Sequence, residues 1–154
     1  MSFPWSGKRI LIVDDSKIVR DQLASFYSGL GLVIAGFAID GVGALAKAEE
    51  LAPDIISLDI IMPEMDGIEC FRALTKKGMG TRCLFVTSLA AEPRVLLSYT
   101  AEIPAELFLG KPVTVDALKR GLEYFYRTDE PAATAAVGAA PLPVAAGTEP
   151  PVGL

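Results

Sequence analysis

Asp14, Asp15, Asp59, Thr87, Ser88 and Lys111 are the side chains that could do chemistry together. They follow, directly or after a residue or two, the short apolar runs Ile10–Val13, Ile55–Leu58, Cys83–Val86 and Leu107–Leu109. Oxygen ligands with no histidine or thiol among them suit a hard divalent cation such as Mg²⁺. That ion takes a few carboxylates plus water and a phosphate. Clustered carboxylates also raise one another's pKa unless a cation sits among them. A carboxylate can act as nucleophile and carry a phosphoryl group as an aspartyl phosphate. Such a transfer needs mainly positioning and positive charge on the phosphoryl oxygens. The set therefore reads as Asp14 and Asp15 for a metal, Asp59 for attack, and Thr87 and Lys111 for the phosphoryl oxygens.

Taken singly, each residue has an ordinary structural use. Asp14, Asp15 and Ser16 suit the cap of a following helix, and so do Thr87 and Ser88. Asp59 suits a turn before Met62-Pro63, and Lys111 a solvated loop ahead of Pro112. Capping gives no reason to place three acids and one lysine together. What would place them together is a parallel sheet, in which all strand C-termini lie on one edge.

The rest of the chain predicts such a sheet. The four runs above and Leu32–Ile39 have strand length and lack polar alternation, as strands covered on both faces do. Helical stripes separate them. Ile18, Val19, Leu23, Phe26, Tyr27 and Leu30 share one face, with Gly29 and Gly31 as stops. Ala44–Leu51 runs to a stop at Pro53. Ile68, Phe71 and Leu74 repeat before Lys76-Lys77-Gly78. Pro93–Ala101 is a shorter helical segment, and Ala117, Leu118, Leu122 and Phe125 form the last stripe around Gly121. Five βα units predict an α/β, doubly wound open sheet.

Counts narrow the function classes. The chain has 154 residues, 14 basic and 19 acidic side chains, two cysteines and no histidine. Without histidine there is no Ser/His/Asp triad, Cys/His dyad, histidine zinc site or histidine phospho-donor. A net charge of −5 argues against nucleic acid or an anionic membrane as the main partner. Cys70 and Cys83, in apolar surroundings, suit reduced thiols of a cytoplasmic protein. No stretch is long and apolar enough for a signal or membrane segment.

Three segments are expected: a short extension (1–7), one domain (8–127) and an Ala/Pro-rich disordered tail (128–154). From Pro131 to Leu154, 16 of 24 residues are Ala, Pro or Gly, with no cation and no aromatic. Such a stretch buries too little surface to offset its ordering entropy, and a solvated spacer is its expected role. It holds Asp129, Glu130 and Glu149, so the body has 14 basic and 16 acidic residues, a net of −2.

Together, Ile10-Leu-Ile-Val-Asp-Asp-Ser16, Leu58-Asp-Ile-Ile-Met-Pro-Glu-Met-Asp-Gly67, Val86-Thr-Ser88 and Gly110-Lys-Pro112 resemble the motifs of the receiver domain of two-component response regulators. They occur in the family's order, and the resemblance covers roughly Lys8 to Arg127. The resemblance implies a flavodoxin-like (βα)5 sheet of strand order 2-1-3-4-5. It implies that Asp59 accepts phosphate from the phosphohistidine of a sensor histidine kinase or phosphotransfer protein. It further implies Mg²⁺ held by Asp15, Asp59 and the backbone carbonyl of Ile61, with Asp14 helping through water. Thr87 and Lys111 would contact the phosphoryl group, and Lys111–Pro112 would be cis. Thr87 and Phe108 would move together as a switch toward a downstream protein target. The chain would then be a signalling phospho-acceptor that assists its own modification, not a free-standing enzyme.

Some positions depart from the family. Ile61 and Leu89, two residues past Asp59 and Thr87, are apolar where many relatives are polar, which predicts a long-lived aspartyl phosphate. Phe108 has no hydroxyl. Ala101–Ala105 lacks the usual Gly-Ala. Nothing after Arg127 suits a DNA-binding, cyclase or methylesterase module, so the output is expected to be a changed protein surface. Tyr124 and Tyr126 suit either partner contact or helix packing.

Other readings compete. Gly41-Val-Gly-Ala-Leu-Ala46 fits a dinucleotide fingerprint, with Asp59 farther on. Asp40, however, would set a carboxylate beside the pyrophosphate. A haloacid-dehalogenase-type phosphatase would want a second Asp where Ile61 stands. A pseudo-receiver that binds partners without phosphorylation would leave the five site residues without use.

Overall fold

The computed structural model describes residues 3–62, 67–79, 82–88 and 103–126. The helical segment expected at Pro93–Ala101, the position Leu89 and the segment 128–154 lie outside the described residues. Five parallel strands form one sheet: β1 (Arg9–Val13), β2 (Val33–Ala38), β3 (Ile55–Leu58), β4 (Arg82–Thr87) and β5 (Phe108–Gly110). Their order is β2-β1-β3-β4-β5, as expected. The described helices are α1 (Lys17–Gly29), α2 (Gly41–Leu51), α3 (Gly67–Lys76) and α4 (Val115–Tyr126).

Strand register assigns each helix to a face. Ser57 of β3 lies opposite both Ile12 and Leu84, so these three share one side of the sheet. The buried Tyr27 hydroxyl of α1 lies 2.9 Å from the Ser57 hydroxyl, which puts α1 on that side. Burial pushes the Tyr27 phenol well above its ordinary pKa, so it stays neutral. α4 shares the face: a Cβ added at Gly121 would come within 2.5 Å of Leu84 Cδ2. The glycine in mid-helix is thus a close-packing site. On the other face Phe71 of α3 meets Phe85 edge-on at 5.7 Å, and a Cβ at Gly36 would meet Leu51 of α2.

Central strands have the predicted full coverage; β3 is buried along its whole length. β2 does not. It is an edge strand, and Val33, Phe37 and Ile39 are exposed because no neighbour lies beyond it. Ile18 departs from its stripe in the same way: it is 82% exposed in the first turn of α1.

Side-chain caps open α1 and α2, and of these Ser16 is the one expected from the sequence. Ser16 accepts a hydrogen bond from the Val19 amide, and Asp40 accepts one from the Gly43 amide. At the foot of the sheet, Phe3–Gly7 packs into the body. Trp5 is fully buried, donates its indole N–H to the Leu30 carbonyl at 2.9 Å, and stacks on Phe3 at 4.9 Å. Tyr126 lies 6.3 Å from Trp5, beneath the Arg82 guanidinium at 4.8 Å. Of the two tyrosines weighed as partner contacts, Tyr126 is therefore buried packing and Tyr124 is half-buried. Cys70 and Cys83 are buried free thiols.

Candidate functional site

The sheet brings the expected residues to one edge. Val13 ends β1, and the Asp14 amide still donates to the Ala38 carbonyl of β2. Asp14 is buried, and its Oδ1 accepts from the Ser16 amide at 2.9 Å. Asp15, one residue on, is exposed. Asp59 follows β3, its amide donating to the Val13 carbonyl at 3.0 Å and its Oδ1 accepting from the Ile61 amide at 3.3 Å. One carboxylate oxygen from each of Asp14, Asp15 and Asp59 lies within 4.8 Å of the others.

Lys111 crosses from the far side of the site. Its Nζ donates to Asp14 Oδ2 at 2.7 Å and to Asp59 Oδ2 at 3.0 Å. Its backbone amide donates to the Thr87 carbonyl, and the Lys111–Pro112 bond is cis. Thr87 is fully buried at the end of β4, and its hydroxyl hydrogen-bonds the Asp59 carboxylate.

Three acids against one ammonium leave the cluster with excess negative charge. Burial pushes the Asp59 carboxyl above the usual carboxylate range and the Asp14 charge adds to this, against the pull of Lys111 and Thr87. Burial alone pulls the Lys111 ammonium down. Its hydrogen bonds and charge attraction to Asp14 and Asp59 outweigh that, and the net direction is up. An all-oxygen, over-acidic cluster partly open to solvent fits a hard divalent cation.

Two contributors escaped the sequence reading. Arg20 donates to the Asp14 carbonyl at 2.8 Å, bracing the loop from α1. Nothing in its spacing marks it. A Cβ added at Gly67 would overlap the Asp59 carbonyl oxygen, so α3 starts hard against the Asp59 backbone. The Asp-Gly pair in the motif was the available signal, though not for that reason. Ile61 is 54% exposed beside the cluster. Phe108, the other expected switch residue, is buried and stacks on Phe85 at 5.2 Å. The Asp40 cap holds an amide at the α2 N-terminus that a bound pyrophosphate would need, against the dinucleotide reading.

The family model described as the response regulator receiver domain matches residues 10–123. The chain belongs to the response regulator receiver family. It is 35% identical over 106 residues to the chemotaxis protein CheY of Thermotoga maritima, covering 69% of this chain and 87% of that one. It is 40% identical over 105 residues to a protein-glutamate methylesterase/protein-glutamine glutaminase of Treponema denticola, covering 68% of this chain and 28% of that protein. The chain thus spans about a third of the methylesterase relatives it matches, and their activity remains theirs. Among solved structures, the CheX-CheY-BeF3-Mg²⁺ complex of Borrelia burgdorferi superposes with TM-score 0.66 at 29% identity, covering 77% of this chain and 89% of that one. The chain is a receiver domain of two-component response regulators, and its aspartate cluster fits Mg²⁺. Among the described residues no helix is long and apolar enough to cross a membrane.

Proposed function

We propose that this receiver domain is a phospho-acceptor that takes a phosphoryl group on Asp59 from the phosphohistidine of a sensor histidine kinase or phosphotransfer protein. The observation that carries the reading is the buried Asp59 carboxylate. It lies 3.0 Å from Lys111 and within 4.8 Å of Asp14 and Asp15 oxygens, at the C-terminal end of β3. An Asp59 oxygen attacks phosphorus, the P–N bond of the donor breaks, and its electron pair stays on the imidazole. Lys111 Nζ and the Thr87 hydroxyl, which already reach Asp59, serve as donors to the phosphoryl oxygens.

Asp15, Asp59 and the Ile61 carbonyl would hold Mg²⁺, with Asp14 acting through water. Bound there, the ion supplies positive charge that offsets the clustered carboxylates and the transferring phosphoryl group. Asp14 does two jobs through its own atoms. It accepts from the Ser16 amide, which orders the loop into α1, and it holds Lys111 in place.

Phosphorylation adds charge where Thr87 and Lys111 now meet Asp59. Thr87 lies two residues beyond Phe85 on β4. Phe85 stacks on Phe108, and Thr87 pairs with Gly110 of β5, so Thr87 and the expected switch ring Phe108 sit on two adjacent strands. Movement of Thr87 and Phe108 would present a changed surface to a downstream protein. In this reading the domain is a cytoplasmic signalling module that assists its own modification and needs neither nucleic acid nor membrane insertion.

The test is incubation with acetyl phosphate and Mg²⁺, read by intact mass. One added phosphoryl group that requires Mg²⁺ and disappears in Asp59→Asn is expected. Failure to gain it in the folded wild type, or gain in Asp59→Asn, overturns the reading and favours a pseudo-receiver.

A further inference from the structure

Arg20 and Lys111 both reach residues of the aspartate cluster, and they end on different kinds of acceptor. Lys111 donates to the carboxylates of Asp14 and Asp59. Arg20, four residues past the Ser16 cap of α1, donates at 2.8 Å to a main-chain oxygen, the Asp14 carbonyl. It has no carboxylate partner among the described residues. The Arg20 amide also donates to the Ser16 carbonyl at 2.9 Å, so its backbone and its guanidinium hold the loop at both ends.

The residue held in between is Asp15. A peptide unit is planar, so holding the Asp14 carbonyl oxygen holds the plane that ends at the Asp15 amide. The next plane ends at the Ser16 amide, which donates to Asp14 Oδ1 at 2.9 Å. With both planes held, the direction of the Asp15 Cα–Cβ bond is set. The exposed Asp15 carboxylate depends on this, because it has no hydrogen bond or ion pair of its own among the described residues. One of its oxygens nevertheless lies within 4.8 Å of oxygens of Asp14 and Asp59, beside two like charges. Arg20 also brings a positive charge toward a cation site, which by itself opposes Mg²⁺. Its side chain is half-buried, and solvent screens a charge so placed. Loss of an outer contact that orients a metal ligand typically costs about 10–100-fold in affinity. Orientation therefore outweighs repulsion.

We propose that Arg20 is a positioning residue for Mg²⁺: through the Asp14 carbonyl it aims the Asp15 carboxylate into the cluster. The role of Asp15 as a ligand rests on the phospho-acceptor reading. The experiment is a Mg²⁺ titration of the full chain, followed by the NMR shifts of the Asp15 and Ser16 amides. Arg20→Met keeps the apolar stem and loses the donor and the charge. It should weaken Mg²⁺ binding about tenfold, whereas loss of the charge alone would tighten it. Arg20→Gln carries the same expectation and replaces it if Arg20→Met does not fold. Arg20→Lys, with a donor on a long stem, should recover most of the affinity. Labelling of Asp59 by acetyl phosphate should need correspondingly more Mg²⁺ in Arg20→Met and return toward the wild-type rate once Mg²⁺ saturates. Unchanged or tighter Mg²⁺ binding in the folded variants overturns the proposal, whatever happens to their melting temperature. Wild type that binds Mg²⁺ and is labelled, with variants of equal affinity, brings down this proposal alone. Wild type that does neither brings down the acceptor reading and this proposal with it.

Discussion

At the C-terminal edge of the sheet, Asp14, Asp59 and Lys111 are buried or half-buried with their charges held 2.7–3.0 Å apart. At the N-terminal edge, Trp5, Tyr126, Phe3 and Leu30 close the same sheet with ring contacts and one indole hydrogen bond. Both edges are made from the ends of the same strands, and they differ in what burial does there. Burial at the foot removes apolar surface from water and stabilises the fold. Burial at the site opposes ionisation of Asp59, so the fold works against the charge that it positions. Stability and reactivity are thus separated by the length of a strand.

The contrast breaks most sharply at Trp5. Trp5→Ala should cost about 3–5 kcal/mol, the usual range for a buried tryptophan. Denaturant melts would show the loss, while acetyl phosphate labelling of the folded fraction stays unchanged. A labelling defect would mean that the two edges are coupled.

Next in size is Gly67→Ala. Its new Cβ must displace the Asp59 backbone oxygen, with which it overlaps. A loss of about 1–3 kcal/mol is expected for such overpacking. Unlike Trp5→Ala it should slow Asp59 labelling as well, because the clash lies on the acceptor itself.

Asp59→Asn should change stability in the opposite sense, raising Tm in metal-free buffer at pH 7. The sign follows from the direction of the pKa. A carboxyl raised above its unfolded value costs stability when ionised, and that cost is relieved as pH falls through the raised value. The metal-free wild type should therefore gain on Asp59→Asn as pH drops from 7 toward the acid range. Adding Mg²⁺ should raise the wild-type Tm more than that of Asp59→Asn, read in paired thermal melts.

A smaller kinetic effect is expected at Ile61, whose exposed apolar side chain borders the cluster. Ile61→Asn should speed loss of the aspartyl phosphate by admitting water, measured by the decay of the phosphorylated mass. An unchanged or slower decay removes that idea. Smallest of all, Lys17→Ala breaks an exposed pair with Asp21 and should shift stability by no more than about 0.5 kcal/mol.

Strand runs, helix stops and caps were legible because they depend on neighbours in the chain. The Ser16 cap and the buried run Ile55–Leu58 are examples. The six-residue run of β2 looked like a covered strand, since hydrophobicity alone does not show whether a neighbour exists on either side. Ile18 misled for a related reason: helical spacing marks a face, and only packing decides what meets it, as it decided for Tyr126 between the two uses left open.

Sequence alone determined the residue types at the strand ends: three aspartates, a threonine and a lysine with no histidine among them. It thereby determined which chemistry was available. Tertiary structure decided which carboxylate is buried, which faces solvent, and that Lys111 bridges Asp14 and Asp59. It also decided that Trp5 belongs to the core. The physical reason is that burial and charge pairing are set by groups far apart in the chain. Lys111 reaches an acid 97 positions away, and no local pattern encodes that distance.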